Sequence, residues 1–177
     1  NEPMGLEYLC VEEHVDMIGL CELTFGASRD AHWAKMVVGE TVEVAVGGSE
    51  HKIFVGEITG LRHAFQKGRN TLTVVAMDPL VKMAASRRVQ TFEEATDDSV
   101  ASTVIGDAGC TVGKVDATSA SFKYILQRNE SDLSFLRRLA ARNGYIVRAN
   151  EGAIDFVKPQ YSEAAEEFDK GEVISMD

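Results

Sequence analysis

Little in this chain suits a membrane, a disulfide framework or a nucleic acid. Its apolar runs are short and broken by charges, and none approaches the roughly 20 residues that a membrane-spanning helix needs. No membrane span is expected. Three cysteines, Cys10, Cys21 and Cys110, are too few and too scattered for a disulfide framework, which points to synthesis in a reducing cytoplasm. Basic residues are scarce: 18 Lys and Arg stand against 28 Asp and Glu, and a net charge of −10 repels phosphate backbones. No nucleic-acid partner is expected. The opening Asn1-Glu2-Pro3-Met4 has no basic stretch leading into an apolar one, so it does not read as a signal peptide. It also lacks a starting methionine and reads as the beginning of a fragment or of a processed product.

What is present is ordinary globular material. The chain has 177 residues, 45% hydrophobic and 26% charged, enough for one large domain or two small ones. The first 77 residues read as β-structure. Leu6 to Val11 and Gly19 to Phe25 are rich in aliphatic and aromatic residues, and Thr41 to Val46 alternates every second residue like a half-buried strand. Gly47-Gly48 signals a turn into a return strand from Lys52, which Gly56 and Gly60 interrupt as glycines do where a sheet bulges. After the polar turn Gln66 to Asn70, Thr71 to Met77 is the fifth strand. Five strands with hairpin punctuation predict a small antiparallel barrel or sandwich.

The pattern changes at Asp78-Pro79, a helix start. A short helix is expected to about Ala85, then an extended segment from Ser86 to Phe92. Asp97 or Asp98 is the expected cap of a second helix, with Val100, Val104 and Ile105 as its apolar stripe and Gly109 as its stop. Phe122 to Gln127 reads as a strand. Ser131 then caps the clearest helix, with Asp132 in the first turn, Leu133, Leu136 and Leu139 on one face, and Asn143-Gly144 at the end. Tyr145 to Ala149 and Ala153 to Val157 form a hairpin. Beyond Pro159 the chain turns acidic and reads as a linker, with the start of a further strand from Gly171. The expected class is therefore α+β and mainly β: residues 1–77 a barrel, 78–160 an α/β insert, 161–177 an acidic linker in a truncated chain.

No constellation predicts catalysis. Cys10 and His14 on a strand would share a face but stand about 13 Å apart, and no CxxC or HxxxH pair exists, so no metal site is expected. Glu93-Glu94 and Asp97-Asp98 are sequence neighbours at a helix start. Capping and dipole roles suit them better than the facing carboxylates of a glycosidase. There is no G-x-S-x-G elbow, and Gly47-Gly48-Ser49 lacks the lysine and helix of a phosphate loop. The single tryptophan, Trp33, is either an interface anchor or a cover for the core edge. Arg87 and Arg88 are candidates for intersubunit ion pairs or for a solvated face.

The most distinctive stretch runs from Tyr124 through Gln127, Arg128, Asn129, Glu130, Ser131, Asp132, Phe135 and Leu139 to Gly144-Tyr145. It resembles the Q-x-R-E-S-D-hydrophobic-x-F segment of VgrG spike proteins and phage late control protein D. Asn129, between the arginine and Glu-Ser-Asp, departs from that pattern. Phe54 to Ile58, Met77 to Leu80, Arg88 to Phe92 and Asp98 to Gly109 resemble further family segments in the family's order, so the resemblance covers roughly residues 6 to 160. It implies a structural, non-enzymatic hub in a contractile phage tail or related injection system. Such a hub is made in the bacterial cytoplasm and joins a tail tube to a spike as a homotrimer, without a cofactor. Its partners would be the tube protein and spike or baseplate proteins. The residues expected at interfaces or supporting them are Trp33, Arg128, Glu130, Ser131, Asp132 and Phe135, with Arg128 and Glu130 bracing the helix against the barrel. Rival readings are a tail-associated peptidoglycan hydrolase, using Glu93 or Asp97, and a monomeric adaptor binding through the Trp33 loop.

Overall fold

The computed structural model describes residues 5–26, 36–45, 52–66 and 69–160. The first part is a five-stranded sheet of β1 (Gly5–Glu12), β2 (Leu20–Gly26), β3 (Thr41–Ala45), β4 (Lys52–Gln66) and β5 (Arg69–Met77). The order is β1-β2-β5-β4-β3, and every pairing is antiparallel. The sheet is curled into a half-barrel and does not close: among the described residues, β1 and β3 are its two edges.

Its buried face follows the period of a strand. In β5, Leu72, Val74 and Ala76 are buried while Thr73, Val75 and Met77 between them are only partly covered. In β4 the buried residues are Phe54, Gly56 and Ile58. A register shift against β5 between Ile58 and Gly60 inserts one residue, and Leu61 then packs against the same cluster as Ile58. The glycines therefore bulge the strand without ending it. At Gly56 a Cβ would collide with the Met77 carbonyl on β5, so this position demands glycine.

The second part begins with α1 (Leu80–Ala85) and β6 (Arg87–Thr96), and continues through α2 (Asp97–Asp107), β7 (Thr111–Val115) and β8 (Ser121–Ser131). It ends with α3 (Asp132–Asn143), β9 (Ile146–Asn150) and β10 (Ala153–Val157). β6 and β8 make a two-stranded antiparallel ribbon; β7, β10 and β9 make a three-stranded sheet in which β7 lies parallel to β10. One core joins these elements, with Leu80, Met83, Ile105, Phe135, Leu139 and Phe156 fully buried. The fold is α+β and mainly β.

Two expectations need correction here. The cap of α2 is neither Asp97 nor Asp98 but Thr96, which forms a capping box with Ser99. Asp97 instead turns inward and is fully buried. β7 was not among the expected strands; it is five residues long, contains Gly113, and pairs with a strand some forty residues later.

The two parts meet through a few polar ties. Asp78 accepts the Gly19 N–H at 2.7 Å and the Leu80 N–H at 2.8 Å, linking the start of β2 to the start of α1. Asp16 exchanges two hydrogen bonds with the Val147 backbone, at 2.8 and 3.1 Å. Lys82 of α1 pairs with Glu57 of β4, and Ile18 packs against the α/β core.

Candidate interface surfaces

The segment singled out in the sequence forms the junction of β8 with α3. Asn129 is the extra residue of a β-bulge: Arg88 pairs with Glu130 and Val89 with Arg128, leaving Asn129 between them at φ 51°. Asn tolerates this left-handed backbone better than most residues. The bulge absorbs the insertion and keeps Gln127 beside Asp132. Both side chains are fully buried, and Gln127 Nε2 donates to Asp132 Oδ1 at 2.8 Å and to the Glu130 carbonyl at 3.1 Å. Arg88 Nε stands 3.2 Å from Asp132 Oδ2, so the buried carboxylate has a cation beside it. Ser131 caps α3 by accepting the Ser134 N–H at 3.2 Å, and Gly144 closes the helix at φ 67°.

Glu130 binds Arg138 of α3 at 2.7 Å, and Arg138 also donates to the Leu126 carbonyl at 2.8 Å. This replaces the expected brace: Glu130 ties α3 to its own entering strand, not to the half-barrel. The pairing with Arg138 holds the Glu130 carboxyl below the usual range. Arg128 is exposed and lies at the lip of a groove beside β8. Phe135 is fully buried and stacks against Phe92 with ring centres 6.0 Å apart, so it serves the core rather than a surface. Trp33 lies outside the described residues, as do the Gly47-Gly48-Ser49 turn and the acidic segment 161–177.

Of the carboxylates weighed for catalysis, Asp97 and Asp98 are engaged within the chain. Asp97 receives Arg142 Nε at 2.6 Å and Asn143 Nδ2 at 2.6 Å, binding the start of α2 to the end of α3. Asp98 accepts from the Thr118 hydroxyl at 2.6 Å, while Glu93 and Glu94 are exposed on β6. Burial raises the Asp98 carboxyl, but its hydrogen bonds from Thr118, Thr96 and backbone N–H groups together bring it below its ordinary range. Among the described residues no group of three His, Cys, Asp or Glu gathers as metal ligands. Arg87 donates to the Asn129 carbonyl at 3.2 Å, and Arg88 faces Asp132, so both arginines have intrachain partners.

Among the exposed apolar residues, two sets lie along strands. Along edge strand β1, Leu6, Tyr8 and Leu9 are exposed. On the ribbon, residues of β6 and β8 alternate, with Phe92, Ile125 and Gln127 covered and Val89, Tyr124 and Leu126 turned outward. Val89 is 73% and Tyr124 59% exposed, high for an aliphatic and an aromatic side chain. Neither surface was marked in the sequence. The alternation along both strands was its only signal, and it needs the ribbon's pairing to show which face is outer.

This fold, a half-barrel followed by an α/β region, is shared with parts of solved tail proteins. An E. coli protein, c3393, is similar over 87% of this chain and 46% of its own, with a TM-score of 0.70 at 17% identity. It is described as a component of the type VI secretion system, structurally similar to the T4 bacteriophage tail proteins gp27 and gp5. The 43 kDa tail protein of prophage MuSo2 from Shewanella oneidensis matches with a TM-score of 0.68 at 18% identity, over 84% of this chain and 48% of its own. A tail protein from Neisseria meningitidis MC58 gives 0.70 at 16% identity, over 91% and 50%. The chain spans about half the length of these structures. No curated protein matches it in sequence. Residues 20–174 match the family model described as the Alg8 N-terminal domain, and the chain belongs to that family.

Proposed function

We propose that this chain is a structural part of a contractile phage tail or a related injection system: a hub of the late control protein D and VgrG type that joins the tail tube to a spike. In this reading three copies form a ring, the partners are the tube protein and spike or baseplate proteins, and the chain catalyses nothing. It is made in the bacterial cytoplasm and ends in a virion or injection particle. The observation that carries the reading is the likeness to tail proteins over 84–91% of the chain, through half-barrel and α/β elements alike. The open edges β1 and β3 support it, because a threefold ring that meets a sixfold tube needs sheet edges to share. Among the described residues no helix is long and apolar enough to cross a membrane.

The test is absolute mass by light scattering across a range of protein concentrations, with and without the tail-tube protein of the same system. Mass climbing towards three copies, or a complex with the tube protein, is the expected result. A chain that stays monomeric and leaves the tube protein unbound overturns the proposal. Peptidoglycan digestion by the purified chain, lost in Asp97→Asn or Glu93→Gln, would make it a hydrolase.

A further inference from the structure

A groove of about 510 Å³ lies beside β8, whose edge away from β6 is unpaired among the described residues, and is lined by Tyr124, Leu126, Arg128, Glu130, Arg138 and Arg142. Its charge runs against the rest of the molecule. Its lining holds three arginines and one acid, Glu130, in a chain whose net charge is −10, and Glu130 is held by Arg138.

The arginines are fixed in place from behind. Arg142 is bound to buried Asp97 through Nε and one terminal nitrogen and lies over the Phe122 ring, 4.2 Å from its centre. Arg138 is bound to Glu130 and lies 5.0 Å from the centre of the Phe135 ring. A guanidinium carries five N–H donors, so each retains donors beyond those it uses inside the chain. The Arg128 backbone N–H goes to Glu130 Oε1 at 3.4 Å, and among the described residues the Arg128 guanidinium makes no hydrogen bond.

The β8 edge itself is partly closed to a further strand. Arg138 takes the Leu126 carbonyl, and Glu130 takes the Arg128 N–H. Backbone groups of alternate residues point the same way, so these two contacts cap adjacent positions on one edge. An occupant is therefore recognised by side chains: carboxylates against guanidinium groups, and apolar residues on Tyr124 and Leu126.

We propose that this groove docks a carboxylate-rich segment of a partner protein that carries apolar residues among its acids. The assignment rests on the groove's charge and shape and does not depend on the tail reading.

The probe is a fluorescent peptide of alternating glutamate and leucine, titrated with the purified chain, beside the same peptide with lysine for glutamate. The expected result is that only the acidic peptide binds, with amide shifts at Tyr124, Leu126 and Arg128. Its affinity should fall with added salt and about tenfold in Arg128→Glu. Tyr124→Ala should also weaken it; Arg128 and Tyr124 are exposed, so both variants keep the fold. Equal binding of the lysine peptide, shifts elsewhere, or unchanged affinity in Arg128→Glu overturns the proposal. So does absence of binding up to about 1 mM. Displacement of the peptide as the chain self-associates would assign the groove to a second copy and overturn it as well.

Discussion

The half-barrel and the α/β region bury their apolar residues in different ways. Among the described residues of the half-barrel the buried ones fall into two small clusters, one around Phe25, Ile58, Leu72 and Val74, the other of Cys21, Phe54 and Ala76. In the α/β region fifteen buried residues make one continuous core, braced by buried acids with partners inside the chain. Among the described residues no element packs across the inner face of the curled sheet, while two helices folded onto a ribbon and a sheet enclose their own interior. Among the described residues the α/β region thus encloses its own interior, while the half-barrel keeps its buried residues in two small clusters on an open sheet.

The largest effect that could break this contrast is a cavity in the continuous core. Phe135→Ala removes a fully buried ring stacked on Phe92 and should cost about 3–5 kcal/mol, enough to unfold the α/β region outright. Chemical denaturation followed by circular dichroism measures it. A loss below about 1 kcal/mol would mean that the core is loosely packed and the contrast false.

Next comes the buried acid that joins two helices. Asp97→Ala strands Arg142 and Asn143, and because Arg142 is one-third exposed the cost should be about 2–3 kcal/mol, less than for a fully buried pair. The double variant Asp97→Ala with Arg142→Met should recover part of that loss, since the stranded charge is gone. No recovery would show that the pair matters through Asn143 alone.

Asp78, between the two parts, gives the comparison a pH axis. Burial pushes its carboxyl up to about 6, against the pull of the Gly19 and Leu80 N–H groups, and Glu13 adds to the rise. Its value in the unfolded chain is about 3.9, so between about pH 4 and pH 6 the folded chain binds more protons than the unfolded one. Stability from this group therefore falls as pH rises through that window and grows as pH drops from about 7 to about 5. Asp98, Asp116 and Glu130 are shifted the other way and titrate below it. Melting temperatures of the parent chain and Asp78→Asn should diverge across that window. Parallel curves would remove Asp78 from the joint.

What the sequence made legible was what is written locally. The start of α3 at Ser131 and its end at Gly144 need only the residues themselves and their immediate neighbours. Alternation in Thr41 to Val46 placed β3 for the same reason. Features that depend on distant residues were hidden. Asp97 looks like a cap until Arg142, forty-five residues on, draws it inward and leaves the cap to Thr96. β7 lacks a signal of its own because its strand character comes from parallel pairing with β10, and Gly113 is required there because Asp155 Oδ1 occupies the space of a side chain. Asn129 reads as a departure from a motif until the register of β6 against β8 makes it the bulge. The groove beside β8 could not be foreseen, since its arginines come from two elements and its edge exists only in the folded ribbon.

The smallest effect tests how local that legibility is. Ser131 accepts the Ser134 N–H at 3.2 Å, and its hydroxyl also lies 2.9 Å from Ser134 Oγ. Removing it in Ser131→Ala should cost about 1 kcal/mol, because one N–H of the first turn loses its acceptor while the rest of α3 stays packed. Ser131→Asp should restore most of that loss, since a carboxylate caps as well and suits the positive end of the helix dipole. The same two substitutions read the contrast between the regions. If the α/β region unfolds as one unit, Ser131→Ala should lower hydrogen-exchange protection throughout its core and leave β1 to β5 almost unchanged. Equal loss in the half-barrel would show that the ties at Asp78, Asp16 and Lys82 bind the two parts into a single cooperative unit. An unchanged melting temperature would show that Ser131 does not cap α3 in solution.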